Sequence, residues 1–177
     1  MADTRYVVPE RLYEKSLLAS EYPSASESVF VLLLGSAIRQ IQKQTASVKE
    51  TENVLGQLGR DVGTRLFALS ALRDGEKRAN ETVACLQKIG SSYWKTLFGK
   101  KIDSIEISED GDYMLIDNEA LCSKFHVDPK ASFTPSTFSA GMLQAMVWPQ
   151  KAKVTAHSTP TETFPFRTVF LIKMPVD

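Results

Sequence analysis

The chain has 177 residues, 43% hydrophobic and 24% charged, enough to bury a core in one domain. Lysine plus arginine equals aspartate plus glutamate at 21 each, so the formal net charge is zero. The basic surplus with which nucleic-acid binders neutralise phosphates is missing. Two cysteines, Cys85 and Cys122, supply neither a disulfide framework nor a paired-cysteine zinc signature.

The start, "MADTRYVVPERLYEKS", lacks the apolar core of a signal peptide, and the longest apolar run, "VFVLLL", is too short to span a bilayer. The expected compartment is therefore the cytosol, where the sequon Asn80-Glu81-Thr82 has no meaning. Residues 1–23 read as an irregular lead-in punctuated by Pro9 and Pro23, and residues 24–177 as one domain.

Ser24 and Glu27 predict a capping box for a first helix reaching about Gln44. Phe30, Leu34, Ile38 and Ile41 form its apolar stripe, and Val29, Leu32 and Leu33 widen that stripe until the helix needs two partners. Ser47 and Glu50 open a second helix that ends near Arg73-Asp74-Gly75, with Leu55, Leu58, Val62, Leu66 and Leu69 on one face. Gly56, Gly59 and Gly63 lie beside that face. Each costs about 1 kcal/mol against alanine inside a helix, which predicts close approach of another backbone, within the chain or across an interface.

After the mixed-charge turn "RDGEKRAN", a third helix places Val83, Leu86, Gly90, Tyr93 and Leu97 on one face, with Cys85, Ile89 and Trp94 adjoining. The period then changes from 3.6 to 2. "IDSIEI" and "YMLI" flank Glu109-Asp110-Gly111-Asp112, a strong hairpin signal. Asn118 to Phe125 reads as a short helix or loop. Thr134 before Pro135 predicts the N-cap of a last helix carrying Phe138, Met142, Ala145 and Met146 and stopping at Trp148-Pro149. Two strands close the chain, "AKVTAH" and "FRTVFLIKM", joined through Pro160 and Pro165. In the first of these, Ala152, Val154 and Ala156 face one way and Lys153, Thr155 and His157 the other. The expected fold is α+β: a helical layer on one face of a four-stranded antiparallel sheet.

Candidate chemistry is sparse. Gly99-Lys100-Lys101 is not a phosphate-binding loop: Trp94 stands where the first glycine belongs, Lys101 where the Ser or Thr belongs, and the segment leads from helix into strand. Gly99 is expected as a left-handed helix cap. Cys122 and His126, with Asp128, offer a nucleophile, base and orienter or a set of metal ligands, but match no spacing motif; a buried thiol and a surface imidazole are the simpler expectation. Glu106, Glu109, Asp110, Asp112 and Asp117 lack calcium-loop spacing and read as a solvated hairpin. No catalytic residue, metal site or cofactor is expected.

Four stretches, "LGRDVGTRL", "YWKTLFGK", "FSAGMLQA" and "AKVTAH", in this order and approximate spacing, resemble the small subunits of the TRAPP vesicle-tethering complex. This is the Bet-three family, and within it the subunit-five type. The resemblance implies a subunit that acts by assembly. Its first two helices would form heterodimers with other TRAPP subunits, of Bet-three and longin type. The assembled particle would be a guanine-nucleotide exchange factor for a Rab GTPase in ER-to-Golgi transport, peripheral to Golgi and ER membranes. The chain would be a non-catalytic, structural part of it. On this view the expected partner interface is Phe30, Leu33, Ile38, Ile41, Leu55, Gly59 and Gly63. The acylated family member carries a cysteine between its second and third helices; Arg73 to Ala79 holds none here, so no fatty-acyl attachment is expected there.

The resemblance also implies a fold shared with vinyl-four-reductase-type domains, which gives the alternative, a small hydrophobic-ligand-binding module with a pocket at Phe67, Trp94, Met142 and Met146. Such sensors normally come fused to an output domain, for which this chain has no room.

Overall fold

The computed structural model describes residues 26–74, 81–124, 132–147 and 151–175. Helix α1 spans Glu27–Gln42 and α2 Val48–Asp74. Helix α3 is composite, with α-helical Thr82–Lys88, a π-helical turn Ile89–Tyr93, and a last α-helical turn Trp94–Phe98. Strands β1 (Ser104–Ile107) and β2 (Tyr113–Asp117) follow, then a 3-10 turn Leu121–Ser123. Helix α4 (Thr137–Val147), β3 (Lys153–Ser158) and β4 (Thr168–Lys173) complete the order. The sheet runs β1-β2-β4-β3, antiparallel throughout. Among the described residues no helix is long and apolar enough to cross a membrane.

The local signals decide most boundaries. At the start of α2 the Glu50 amide donates to Ser47 Oγ at 3.2 Å, and Glu50 Oε2 reaches back to the Ala46 amide at 2.9 Å, so the expected cap forms with its return bond one residue before the N-cap. For α1 it does not serve: the helix begins at Glu27 after Ser26, whose side chain makes no capping bond, and Ser24 lies outside the described residues. Helix α4 begins at Thr137, two residues later than proline at N1 would place it. Thr134 and Pro135 instead form a turn, with their carbonyls accepting from Thr137 and Phe138 and the Thr134 amide held by Glu52 of α2 at 2.8 Å. The helix stop expected at Trp148-Pro149 lies outside the described residues.

The π turn ties helix to sheet. The Trp94 amide bonds the Ile89 carbonyl, one residue further back than in an α-helix. The next carbonyl, that of Gly90, accepts from the Ile102 amide at 2.9 Å, where the chain enters the first hairpin. Helix α3 then stops where expected: Gly99 has φ of 74° and its amide caps the Lys95 carbonyl at 2.9 Å. In the hairpin Gly111, with φ of 81°, closes a Ser108–Gly111 turn, so the link is longer than a two-residue Asp-Gly turn.

Register assigns the sheet faces. Leu115, Phe170 and Ala156 lie in one row across β2, β4 and β3, and Tyr113, Ile172 and Val154 in the next. These rows meet Leu86, Ile89, Tyr93 and Trp94 of α3 and Ala140, Leu143, Met146 and Val147 of α4. Trp94 is packed between Phe98 and Phe170, with ring centroids 4.5 and 5.4 Å away. On the other face Met114, Val169 and Leu171 are half-buried while Lys153, His157 and Lys173 are exposed, the partial exposure expected of a sheet with helices on one side. Val83 is a departure: it lies in the first turn of α3, ahead of the packed part, and is exposed.

A second cluster joins Leu34 of α1, Leu55 of α2, Cys122, and Phe138 and Met142 of α4, flanked by Phe30, Ile38, Ile41, Val62 and Leu66. Leu58, expected on that stripe, stands outward.

Candidate assembly surface

The glycine face of α2 meets α4. A Cβ on Gly59 would lie 2.1 Å from the Phe138 carbonyl oxygen, one on Gly63 2.7 Å from Met142 Cα, and one on Gly141 2.1 Å from the Gly56 carbonyl oxygen. Backbone touches backbone over two helical turns, which only residues without a side chain permit. The close approach foreseen for these glycines is thus made inside the chain. Arg60 Nη1 adds a bond across the same contact to Gln144 Oε1 at 3.3 Å.

Of the residues expected at a partner surface, Leu55, Gly59 and Gly63 are buried, the glycines against α4. Phe30, Ile38 and Ile41 are half-buried against the second cluster. Leu33 is open, at 67% exposure. Beside it stand Leu32 at 71% and Val29 at 53%, together forming the outer face of α1, opposite Leu34. Gly35 on the same helix has nothing within 4 Å of a notional Cβ. Val54, Leu58 and Leu72 of α2 are also exposed. Among Val29, Leu32 and Leu33, only Leu33 was placed at an interface from sequence. The signal for the other two is helical phase: Leu34 takes the core side, and residues two and five positions before it must point away.

Burying a valine or leucine side chain stabilises by roughly 1.5–3 kcal/mol relative to leaving it in water. Three adjacent residues therefore hold several kcal/mol that the described residues leave unused. Patches of this kind mark protein contacts more often than single exposed leucines do.

The groups with chemical potential are otherwise engaged. Asp117, assigned to a solvated hairpin by its acidic neighbours, is 1% exposed. Its register position puts it on the helix side of β2. There its carboxylate accepts from Trp94 Nε1 at 3.1 Å and from the Glu119 amide at 3.0 Å, and pairs with Lys100. Lys100 is therefore turned inward rather than offered as a docking charge, and Lys101 is the exposed one. A phosphate site at Gly99-Lys100 is ruled out twice over, by the helix cap and by this pair.

Cys122 is buried, 3.1 Å from Ser139 Oγ, and burial pushes its thiol from its usual 9.0 up to about 11. A thiol so protonated at neutral pH is no nucleophile. Next to it Ser123 Oγ lies 2.7 Å from Ser136 Oγ and 3.2 Å from Thr168 Oγ1, a buried hydroxyl network joining the 3-10 turn, the entry to α4, and β4. His126 and Asp128 lie outside the described residues. His157 is exposed, its ring Nε2 2.9 Å from Thr155 Oγ1. Among the described residues no three His, Cys, Asp or Glu side chains group as metal ligands. The four residues offered for a ligand pocket do not share one space. Trp94 and Met146 pack in the cluster beneath the sheet with Phe67 at its edge, whereas Met142 belongs to the cluster under α1.

Among the described residues this is an α+β module with Cys122 buried, Asp117 paired and an apolar helix face exposed, features that suit an assembly subunit. The family model for the transport protein particle (TRAPP) component matches residues 30–175, and the chain belongs to that family. It is 35% identical over 155 residues to trafficking protein particle complex subunit 5 of Dictyostelium discoideum, covering 82% of this chain and 83% of that one. To subunit 5 of Homo sapiens it is 33% identical over 147 residues, covering 79% and 78%. Among solved structures, trafficking protein particle complex subunit 3 of Naegleria fowleri, covalently bound to palmitic acid, superposes with a TM-score of 0.65 at 15% identity. The match covers 85% of this chain and 95% of that one, and it shows the shared fold. The curated relatives place the chain with the subunit-5 type of the TRAPP complex.

Proposed function

We propose that the chain is a non-catalytic, structural subunit of the TRAPP vesicle-tethering complex, the guanine-nucleotide exchange factor for a Rab GTPase in ER-to-Golgi transport. It pairs with Bet-three-type and longin-type subunits through its first two helices, and reaches Golgi and ER membranes only as part of the particle. The observation that carries this reading is the outer face of α1, where Val29, Leu32 and Leu33 stand in water within a helix whose other face is packed. Membership of the family supports other small subunits of the same complex as the partners that would fit it. Exchange by such a particle stabilises the nucleotide-free GTPase, so this subunit needs to shape a surface and supplies no reacting group.

The test is co-expression with a Bet-three-type subunit, followed by size-exclusion chromatography and a nucleotide-release assay on the reconstituted particle. The wild-type chain is expected to elute in a stoichiometric complex, and Leu32→Asp/Leu33→Asp to elute apart from it while remaining folded. Undiminished pairing of that double variant would overturn the interface. Unchanged nucleotide release from a particle lacking the chain would overturn its part in exchange.

A further inference from the structure

The two edges of the sheet, β1 and β3, are finished differently. Hydrogen-bonded and non-bonded positions alternate along an antiparallel pair. Beside β3 the Thr159 amide bonds the Arg167 carbonyl at 2.9 Å, so in this register Val154, Ala156 and Ser158 turn their backbone groups outward. The side chains of Val154 and Ala156 pack under the helical layer, and Lys153 between the core positions supplies the charge that blunts an edge.

At β1 the same alternation ends otherwise. The Ser108 amide bonds the Asp112 carbonyl at 2.8 Å, which turns Ser104 and Glu106 towards β2. The amides and carbonyls of Ile105 and Ile107 therefore point away from it, and among the described residues no strand lies on that side. Both isoleucines share the helix face of the sheet, in rows with Leu115 and Tyr113. Gly90 of α3 reaches as far as Ile105, where a notional Cβ would lie 3.5 Å from Cδ1. Ile107 lies further along the strand and is 65% exposed. From Asp103 to Asp112 the chain carries Asp103, Glu106, Glu109, Asp110 and Asp112 and no lysine or arginine; Lys101 stands just before. Asp112 pairs with Lys173 at 3.3 Å, and the other four are exposed.

We propose that the open edge of β1 docks an extended partner segment that alternates apolar and basic residues and joins the sheet as a fifth strand. Its backbone pairs with Ile105 and Ile107, its apolar side chains cover theirs on the helix face, and a basic side chain stands by Glu106 on the outer face. A second copy of β1 in the same place would set Glu106 against Glu106, a like-charge cross-strand pair that disfavours it. The edge is separate from the outer face of α1, so this docking does not rest on the function proposed above.

The probe is a peptide of alternating valine and lysine, about six residues long as strands commonly are, titrated into the isotope-labelled full chain. Binding is expected to shift the amide resonances of Ile105 and Ile107 and slow their hydrogen exchange, leaving Val154 and Ala156 unchanged. Glu106→Lys is expected to weaken binding about fivefold or more, because an attractive cross-strand pair becomes repulsive. A version of the peptide with methylated backbone amides keeps its charge, cannot pair, and is expected not to bind. Equal binding of that peptide, or of one with glutamate in place of lysine, would overturn the proposal. So would Ile105 and Ile107 amides already protected in the free chain, whether by the chain itself or by a second copy at rising concentration. Loss of peptide binding in Leu32→Asp/Leu33→Asp would move the contact to α1 and overturn the edge.

Discussion

The two faces of the helical layer solve opposite problems. Between α2 and α4 the side chains have been removed: Gly59, Gly63 and Gly141 let two backbones touch, and nothing is left there for a partner. On the outer face of α1 the side chains are large, apolar and in water. Glycine and leucine both stand out in a sequence as candidates for close contact, yet here one kind of stripe closes the fold and the other leaves it open. The difference is geometric. A glycine stripe works only against a second stripe at van der Waals distance, and Gly141 on α4 supplies it within the same chain. A leucine face can wait for a partner, at the cost of exposure.

The contrast can be broken most forcefully at Gly59. Gly59→Val puts a branched side chain where even a Cβ would lie 2.1 Å from a carbonyl oxygen that cannot yield without moving α4. A loss of about 3 kcal/mol or more is expected, seen in urea denaturation or as failure to accumulate folded protein. Nearly as large an effect is expected at the inner edge of the sheet. Lys100→Met leaves the buried Asp117 carboxylate without its cation and should cost about 3 kcal/mol, near the low end for a broken buried pair because Lys100 is partly exposed.

Leu33→Asp tests the other face. Stability should stay within about 0.5 kcal/mol, as at an exposed position. Partner affinity, measured by calorimetry, should fall by at least about 2 kcal/mol, roughly 30-fold, as at an interface hot spot.

Cys122, beneath both faces, gives a pH signature. Its pKa is raised by burial from 9.0 to about 11, so the folded state holds its proton where the unfolded state has released it. Stability from this thiol is complete below pH 9 and lost as pH rises towards 11. The stability difference between wild type and Cys122→Ala should be constant below pH 9 and change only across that window.

The smallest effect sharpens the comparison best. Gly35→Ala, with open space around its Cβ, should gain about 0.5–1 kcal/mol from helix propensity and raise the melting temperature, while the same change at Gly59 lowers it.

Much of this was readable in the residues. The cap at Ser47 and Glu50, the stop at Gly99 and the alternation of Ala152, Val154 and Ala156 are local codes, and each is used as written. The boundary of α4 falls two residues late because Thr134 and Pro135 form a turn ahead of the helix, with the Thr134 amide held by Glu52 of α2. Asp117 was misjudged because its acidic neighbours along the chain lie in the turn, while its partners Trp94, Lys100 and Glu119 meet it only after the strand takes its place beneath α3. Of the interface residues, Leu33 is exposed, and Leu55, Gly59 and Gly63 are buried within the chain.

By itself, then, the sequence determined the elements, their order and the α+β class, because periodicity, caps and turn residues act over a few positions; the family came from the resemblance of four stretches. Tertiary structure decided which apolar stripe is core and which is surface. That choice depends on which other stripe arrives opposite it. Residue 59 meets residue 138 only across a folded chain, and no local pattern records the meeting.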